Sequence, residues 1–554
     1  MATLKNPLWF FALTVILACG LLTLPISLPI GPMYWDLFLY FDGAQRILNG
    51  QIPSVDFSTP VGPLSYYLTF LAMRAFPNTN PFLLVEWSFL IITSPAMAII
   101  INQVARTSWP KAWALLLPFL FYSIAPFNVI NLIPHTGIEA WGIYNRHSIQ
   151  LLYVLLAALL FLPSPRWRIA IIGYLVIALF ATKITGFLAG GLILFGFFLA
   201  GQISRSLFVG ANIIFWVSLA IAEISLGIVS GYLTDVLALI SRNQSNIIYR
   251  FFSVGVTQFD IIFAGTALSF ILLIDHLKSP LRPPAYLLGV RQTVIRFCNT
   301  DWFICGTLIF AGLAFETQNS GGQPFVFMWP FLMKVLWRDD YHTPFIKNAI
   351  IIAIAFVMIP AASITLHKSA RAVGAMALYE PLKNKNLNTL GLVSTSKKFY
   401  DRTDALRQIY IDNEKTYEAS IKAGTEAVFL IHAQPDFQMF NLKEIDKAIT
   451  AIHELERKSG KIFETVWNVD FANPIGWLMQ RHGPKYVPIG MDPTRTIVPL
   501  DNKRRKALAD VDLALIPTCP ATKNRTLTEK HYVPAFTNHR RIELTACMDA
   551  LIKK

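Results

Sequence analysis

Apolar runs long enough to cross a lipid bilayer recur along the first two thirds of this 554-residue chain. A helix that spans the hydrocarbon core needs about 20 mainly apolar residues. With 54% hydrophobic and 15% charged residues, and a mean hydropathy of +0.47, the composition excludes an ordinary water-soluble globule. The first run is too long for the core of a secretory signal, so we predict that it is kept as a helix. Eleven spans are predicted, at about 7–28, 82–104, 111–129, 147–163, 168–182, 184–201, 207–231, 259–275, 302–316, 323–337 and 345–364.

Lysine and arginine are distributed so that they fix the orientation of these spans. With the N-terminus inside, every predicted inner loop carries cations, as the positive-inside rule requires. The same placement accounts for the net charge of +14 without nucleic acid, because cations favour anionic headgroups. An odd number of spans then puts everything after about residue 365 outside. The inner cations are Lys5, Arg106, Lys111, Arg166, Arg168, Arg205, Lys278, Arg282, Arg291, Arg296, Lys334, Arg338 and Lys347.

The tail, 365–554, differs in character from the membrane part, 1–364, and predicts a soluble α/β domain on the outer side. Leucines and isoleucines recur at helical spacing in "LKEIDKAITAIHELERKSG", and Gly460 suits a helix C-cap. Cys519 and Cys547 fall in this tail, where an oxidising space allows a disulfide and two buried thiols equally. The five cysteines show no metal-binding spacing. Buried strands are predicted at "EAVFLIH" (426–432), around "KIFETVWNV" (461–469) and at "VDLALIP" (511–517).

Ionisable residues near the outer ends of the spans are the candidates for function. Charged groups near membrane depth are costly and often line a cavity or pathway. Some such residues merely cap helices or anchor them at the interface, so both readings stay open for each one. The outer set comprises Arg46, Arg74, Arg146, Lys183, Arg242, Arg250, Asp36, Asp42, Asp56, Glu139, Glu316, His135 and His147.

Lys183 interrupts an apolar run in "IALFATKITGFLAGGLILF". The run is about 34 residues long, too short for two ordinary spans and too long for one. We therefore predict a hairpin of two short helices that meet at "TKITG", at or below the outer interface. There the ammonium and the free N–H groups of the next helix can face an anion. The alternative is a lysine that reaches the membrane interface for solvation.

"WDLFLYFDGAQRILNGQIPSVDF" (35–57) directly follows the first span and brings Asp36 and Asp42 close to the membrane. Apolar residues share one face of a short helix, and a Pro-rich turn leads into a second amphipathic segment. Two helices lying on the membrane surface are therefore predicted. Asp36 is placed at the N-terminus of the first, where a capping role alone would stabilise the helix by about 0.5–2 kcal/mol.

Four stretches in the membrane part carry a family resemblance. "DLFLYFDGAQRILNGQIPSVDFSTPVGPLSYYL", within the first outer loop (30–81), is followed by "IYNRHSIQLL", "ATKITGFLAG" and "ETQNSGGQPF". Together they resemble the GT-C superfamily, multi-span glycosyltransferases that use polyprenyl-phosphate-linked sugars. Protein O-mannosyltransferases and the aminoarabinose transferase of lipid A belong to it. In the tail, "NVDFANPIGWLM" and "DVDLALIP" resemble the outer domain of some bacterial members.

The resemblance implies a GT-C-like fold and a one-step transfer with inversion, in which Asp36 is the general base. Many relatives carry a second acid directly after the first, where this chain has Leu37. Asp42 or another loop would then supply a second acid, or the reaction runs without metal. A departing polyprenyl phosphate needs fixed positive charge, for which we nominate Lys183 and Arg146, with Arg242 and Arg250 in reserve. Substrate contacts are assigned to Tyr40, Asp56, His135, Glu139, Tyr144, Asn145, Glu316, Gln318 and Asn319.

The expected partners are a polyprenyl-phosphate sugar, a glycan or lipid acceptor and the lipids of a bacterial inner membrane, with the tail in the periplasm. No cofactor is implied, although a divalent metal stays compatible. A polysaccharide polymerase or ligase is one alternative, but such enzymes rely on late loops rich in arginine and histidine. A transporter of lipid-linked sugars is the other, and it would favour unwound segments in two corresponding halves. The sugar and the acceptor are not specified by the sequence.

Overall fold

The computed structural model describes residues 6–129, 136–243, 247–278, 289–318, 321–426 and 434–554. Helices dominate up to Leu378, and helices alternate with short strands thereafter. The first part contains α1 (Leu8–Leu21), β1 (Leu28–Pro29), α2 (Asp36–Leu48), α3 (Leu64–Ala75), α4 (Pro81–Ser88), α5 (Leu90–Ala105), α6 (Trp109–Ile124), α7 (Ile143–Phe161), α8 (Pro165–Thr182), α9 (Ile184–Leu199), α10 (Arg205–Leu226), α11 (Ile228–Asn243), α12 (Ile247–Thr257), α13 (Phe259–Lys278), α14 (Val290–Cys298), α15 (Asp301–Glu316), α16 (Trp329–Leu336) and α17 (Pro344–Leu378). The second contains β2 (Glu380–Pro381), β3 (Val393–Thr395), α18 (Lys397–Asp412), α19 (Glu414–Ala423), α20 (Pro435–Ser459), β4 (Val466–Asn468), α21 (Ile475–Leu478), α22 (Asn502–Ala509), β5 (Leu513–Pro517), α23 (Lys523–Tyr532), β6 (His539–Thr545) and β7 (Met548–Lys553).

Among the described helices, four are long and apolar enough to cross a membrane: α8, α10, α13 and α17. Two bent pairs, α4 with α5 and α14 with α15, raise the number to six if each pair is one span. Each of the eleven predicted spans coincides with a helix, but several of these helices are short. The 14 residues of α1 extend about 21 Å at 1.5 Å per residue, less than a bilayer core of about 30 Å. Eleven crossings therefore stay a prediction.

The last long helix, α17, does not end at the predicted boundary near residue 364 but continues to Leu378. The residues beyond 364 include many alanines and no proline, so nothing in them stops a helix. Its outer turns pack back onto the membrane part, where Lys368 Nζ lies 2.8 Å from Glu139 Oε1 and 2.8 Å from the carbonyl oxygen of Asn128. The membrane part and the tail are therefore joined by a continuous helix.

The tail contains a four-stranded sheet in the order β4-β5-β7-β6, in which β4 and β5 are parallel and the other pairs antiparallel. Two of the three predicted strands are present, as β4 and β5. The third, 426–432, lies outside the described residues apart from Glu426. The predicted helix is α20, and Gly460 ends it with φ +67°. Cys519 and Cys547 form a disulfide.

The first outer loop and the tail share one hydrophobic core. Strand β1 pairs in parallel with β3, through Leu28 and Val393. On α2, the ring of Phe41 meets Trp477 edge-on, with 4.7 Å between the ring centroids. The first loop is therefore buried beneath the tail rather than lying free on the membrane surface, and this arrangement positions the polar residues described next.

Candidate active site

Asp36 is the first residue of α2. Trp35 occupies the cap position in helical conformation, so Asp36 does not cap the helix as predicted. Among the described residues, the carboxylate has no hydrogen-bond or ion-pair partner. Burial removes water from the charged form, and this raises the pKa of Asp36 to about 7. A carboxylate with this pKa is half ionised near neutral pH and is suited to proton transfer.

A small pocket faces Asp36 and is walled by tyrosines. Tyr40 and Tyr66 lie with ring centroids 5.9 Å apart, and the buried Tyr40 hydroxyl has no hydrogen-bond partner among the residues that the structure describes. The volume is about 10 Å³, room for about one water molecule. A sugar can enter only if a lining segment moves. The pocket is lined by Asp36, Leu39, Tyr40, Pro60, Val61, Tyr66, Ala140 and Tyr144.

Lys183 lies at the break between α8 and α9, in extended conformation, so the predicted break is present. Its Nζ donates to Asn145 Oδ1 at 2.7 Å and lies 4.6 Å from the centre of the Tyr144 ring. Tyr144 also lines the pocket of Asp36. The carboxylate and the ammonium therefore flank the same tyrosine, although about 150 residues separate them.

The first outer loop rests directly on this break. The backbone N–H of Gly62 donates to the carbonyl oxygen of Thr182 at 3.0 Å. A Cβ at Gly62 would lie 2.2 Å from the carbonyl oxygen of Ala181, so a side chain there would force the two segments apart. Glu316, at the end of α15, interacts electrostatically with Lys183, and its buried Oε1 has no hydrogen-bond partner in the part of the chain that the structure describes.

Arg146 was predicted to hold phosphate, but the structure gives it a different set of contacts. It is fully buried, and its Nε and Nη2 donate to the carboxylate of Glu86. Its Nη1 donates to Asn128 Oδ1 at 2.8 Å. A buried guanidinium requires a counterion, and a phosphate would have to displace Glu86. Glu86 lies inside a predicted span, so its position in the sequence did not mark it as a candidate.

Asp42 and Asp56 connect the first loop to the tail. Asp42 Oδ1 accepts from Arg46 Nε at 3.1 Å, and Arg46 also donates to the carbonyl oxygen of Pro484. Asp56 accepts from the backbone N–H of Ile52 and pairs with Lys485 at 3.1 Å. Neither residue lines the pocket of Asp36. The tail residues that they reach, Pro484 through Arg46 and Lys485 directly, could not be predicted from the sequence of the loop.

The other predicted site residues form ion pairs or hydrogen bonds, or line a second small cavity. Glu139 is paired with Lys368. Arg250 donates to Gln318 Oε1 at 3.2 Å. Arg242 lines a small cavity with Asp235, a residue that the sequence analysis did not nominate. His135 and Asn319 lie outside the described residues.

The tail contributes a cation that sequence reasoning missed. Arg495 interacts electrostatically with Tyr144, and its side chain is 53% exposed. The segment that carries it packs on the first loop, since the N–H of Ile489 donates to the carbonyl oxygen of Ser58 at 3.2 Å. A Cβ added at Gly490 would lie 3.5 Å from Leu39 Cδ2 in the pocket wall, so this segment lies close to that wall. No sequence spacing points to Arg495, because the fold alone brings it near Tyr144.

Within the part of the chain that the structure describes, no three histidine, cysteine, aspartate or glutamate side chains are grouped as metal ligands would be. The carboxylate of Asp36 and the ammonium of Lys183 are two charged groups beside the tyrosine wall. Together they can accept a proton and stabilise an anion. This arrangement suits the transfer of a group from a phosphate to a hydroxyl.

No family model and no curated protein matches the chain in sequence. Among solved structures, the chain is similar to ArnT from Cupriavidus metallidurans in the apo state, with a TM-score of 0.40 and 10% sequence identity, over 98% of this chain and 97% of that one. ArnT from the same organism bound to undecaprenyl phosphate matches with a TM-score of 0.38, at the same identity and coverage.

Proposed function

We propose that the chain is an inverting glycosyltransferase that moves a sugar from a polyprenyl phosphate to an envelope glycan or lipid. The reaction takes place at the outer face of a bacterial inner membrane, with the tail in the periplasm. The observation that carries the proposal is that Asp36 and Lys183 both lie beside Tyr144, Asp36 in the shared pocket wall and Lys183 with its Nζ 4.6 Å from the ring centre. The sequence resemblance of the first outer loop to GT-C enzymes supports the same reaction.

Asp36 acts as the general base. Its carboxylate takes the proton from the acceptor hydroxyl while the hydroxyl oxygen attacks the anomeric carbon of the donor sugar. The bond between that carbon and the phosphate oxygen breaks, and the electron pair leaves with the polyprenyl phosphate. Attack from the face opposite the phosphate inverts the anomeric carbon. Burial raises the pKa of Asp36 to about 7, close to neutral pH, where a base works best.

Lys183 stabilises the departing phosphate. Fixed positive charge beside a leaving group lowers the barrier, since the charge develops as the bond breaks. Asn145 and Tyr144 hold the ammonium in place. We propose Lys183 without Arg146 for this role, because Glu86 and Asn128 already accept from the Arg146 guanidinium. Arg250, hydrogen-bonded to Gln318, stays the reserve cation on the membrane side.

The closed pocket of Asp36 must open for the sugar. The loop at Pro60 and Val61 and the tail segment at Gly490 lie over it, so displacement of these segments would admit donor and acceptor. Arg495 would return with the tail segment and add a second positive charge beside Tyr144. Closure over the substrates would then exclude water from the reacting carbon and complete the cationic side of the site.

Mass spectrometry of envelope glycans and lipids from a deletion strain tests this function and identifies the product. We expect one sugar substituent to disappear and to return with the wild-type chain. Asp36→Asn and Lys183→Gln should not restore it, at membrane levels equal to wild type. Asp340→Asn and Lys278→Gln are matched controls at exposed positions in predicted inner loops, and both should restore the substituent. Restoration by Asp36→Asn would overturn the proposal.

A further inference from the structure

A large cavity lies where the first outer loop, the end of α1 and the tail meet. Its volume is about 680 Å³, within the range of about 300–1,000 Å³ that small-molecule sites occupy. We call it the junction cavity. The wall on the tail side includes Asn388, Thr389, Leu392, Trp477 and Gln480, and the wall on the membrane side includes Thr23, Pro25 and residues of α2 and α3.

The junction cavity is separate from the pocket of Asp36. On α2 it is lined by Phe41, Ala44, Gln45 and Leu48, which recur at the spacing of one helix face. Asp36 and Tyr40 lie on another face of that helix and line the other pocket. The function of this cavity therefore does not depend on the transfer reaction proposed above.

The chemistry of the lining favours an amphiphile with a negative charge. Most of the lining side chains are apolar, and the eighteen lining residues include no aspartate or glutamate. Arg74 supplies a positive charge at the end of α3. Its side chain stacks on Phe70 at 5.8 Å, and it has no carboxylate partner among the described residues.

A buried amide in the wall also lacks a partner. Gln45 is 3% exposed, it lines the cavity, and its side chain has no hydrogen-bond partner among the described residues. Buried polar groups in proteins nearly always find a partner. A ligand with oxygen atoms beside Gln45 would satisfy the amide.

The location favours a lipid over a soluble phosphate compound. Thr23 and Pro25 directly follow α1, where the chain leaves the membrane. Leu48, in the cavity wall, is 52% exposed, and Leu71 on the neighbouring helix is 53% exposed. An exposed apolar rim beside a membrane is suited to an acyl chain.

We propose that the junction cavity binds one anionic phospholipid, with an acyl chain among the apolar side chains of α2 and α3 and the phosphate at Arg74. The lipid would contact the membrane part and the tail at the same time. It would hold the tail against the first outer loop, which is the contact that also positions Arg495.

Native mass spectrometry of the full-length protein in detergent tests this site, with palmitoyl-oleoyl phosphatidylglycerol added and phosphatidylcholine of the same chains as the neutral comparison. We expect one phosphatidylglycerol to bind more tightly than phosphatidylcholine. Arg74→Gln should weaken phosphatidylglycerol about tenfold, the size expected for one charge-assisted hydrogen bond, and leave phosphatidylcholine unchanged. Leu48→Trp, which adds bulk at the cavity wall, should weaken both lipids.

Two variants serve as controls in the same experiment. Leu117→Trp adds equal bulk at an exposed apolar position that does not line the cavity, and Arg106→Gln removes an exposed cation elsewhere; both should bind as wild type. Glycerol phosphate, added alone, should not bind, because it lacks a chain. Equal affinity of wild type and Arg74→Gln for phosphatidylglycerol would overturn the proposal. So would tight binding of glycerol phosphate. Arg74 is exposed, so its substitution keeps the test valid if Leu48→Trp folds poorly.

Discussion

Asp36 and Asp42 lie on the same helix, α2, but in opposite surroundings. Asp42 is 1% exposed and is paired with Arg46, and the Arg46 guanidinium is bonded to the tail at Pro484. Asp36 has no such partner among the described residues and faces a tyrosine-walled pocket. One short helix therefore carries two aspartates with different roles. Its later turns fasten the loop to the tail, and its first turn keeps a carboxylate available for chemistry.

The largest expected effect is on activity at the Asp36 end. Asp36→Asn keeps the shape of the side chain but removes the base, and a positioned base typically contributes about 10²–10⁴-fold. We expect kcat to fall by about that factor, measured by transfer of radiolabelled sugar in membranes with matched expression. Asn at this position should also stabilise the protein at pH 8, because it removes a poorly solvated charge. Unchanged kcat would contradict the distinction between the two aspartates.

Substitution of Asp42 should lower stability and leave activity nearly unchanged. Asp42→Asn leaves the Arg46 guanidinium buried without its counterion, and breaking a buried pair costs about 3–5 kcal/mol. We expect the free energy of unfolding in detergent to fall by that order, with kcat per folded molecule nearly unchanged. Asp340→Asn, at an exposed acid, is the matched control. A loss of kcat without a loss of stability would place Asp42 in the chemistry instead.

A pH titration also distinguishes Asp36 from Asp42. Burial raises the pKa of Asp36 to about 7. Below pH 7, the ionised fraction of Asp36 therefore increases about tenfold for each unit by which the pH rises. We expect kcat/KM to rise with pH and level off above about pH 7. The effect on stability has the opposite sign. Protonated Asp36 stabilises the folded state, and this stabilisation is complete below the usual pKa of about 4 and is lost as the pH rises through about 7. Asp36→Asn should abolish this change in stability.

The smallest expected effect is at Arg495, which tests whether the tail reaches the reaction. Arg495→Gln should lower kcat about tenfold, the effect of one charge-assisted contact at the transition state. Lys503→Gln, another cation of the tail, should leave kcat unchanged. If neither variant changed kcat, the groups that take part in the reaction would all lie in the membrane part.

Sequence patterns predicted the local structure well. The break at Lys183, the short helix that begins at Asp36, the helix that Gly460 ends and the strands β4 and β5 are all present. Each depends on residues close together in the chain, such as an apolar period or a glycine that accepts positive φ. The predicted cap at Asp36 was wrong, because the chain enters α2 one residue earlier in helical conformation.

The partners of charged residues could not be predicted in the same way. Glu86 faces Arg146, Glu139 faces Lys368, and Pro484 accepts from Arg46. These contacts join segments that are far apart in sequence. A charge pattern marks which residues need a partner, but it does not indicate which segment supplies one.

Local sequence patterns were sufficient to predict the apolar helices, the places where they begin and break, and the acid that follows the first predicted span. Those features arise from hydrophobicity and backbone preference, which act over a few turns. The pairing of Asp42, the lack of a partner for Asp36 among the described residues, and the approach of Lys183 to Tyr144 depend on tertiary packing. Burial sets the cost of a charge, and burial exists only after distant segments have packed together.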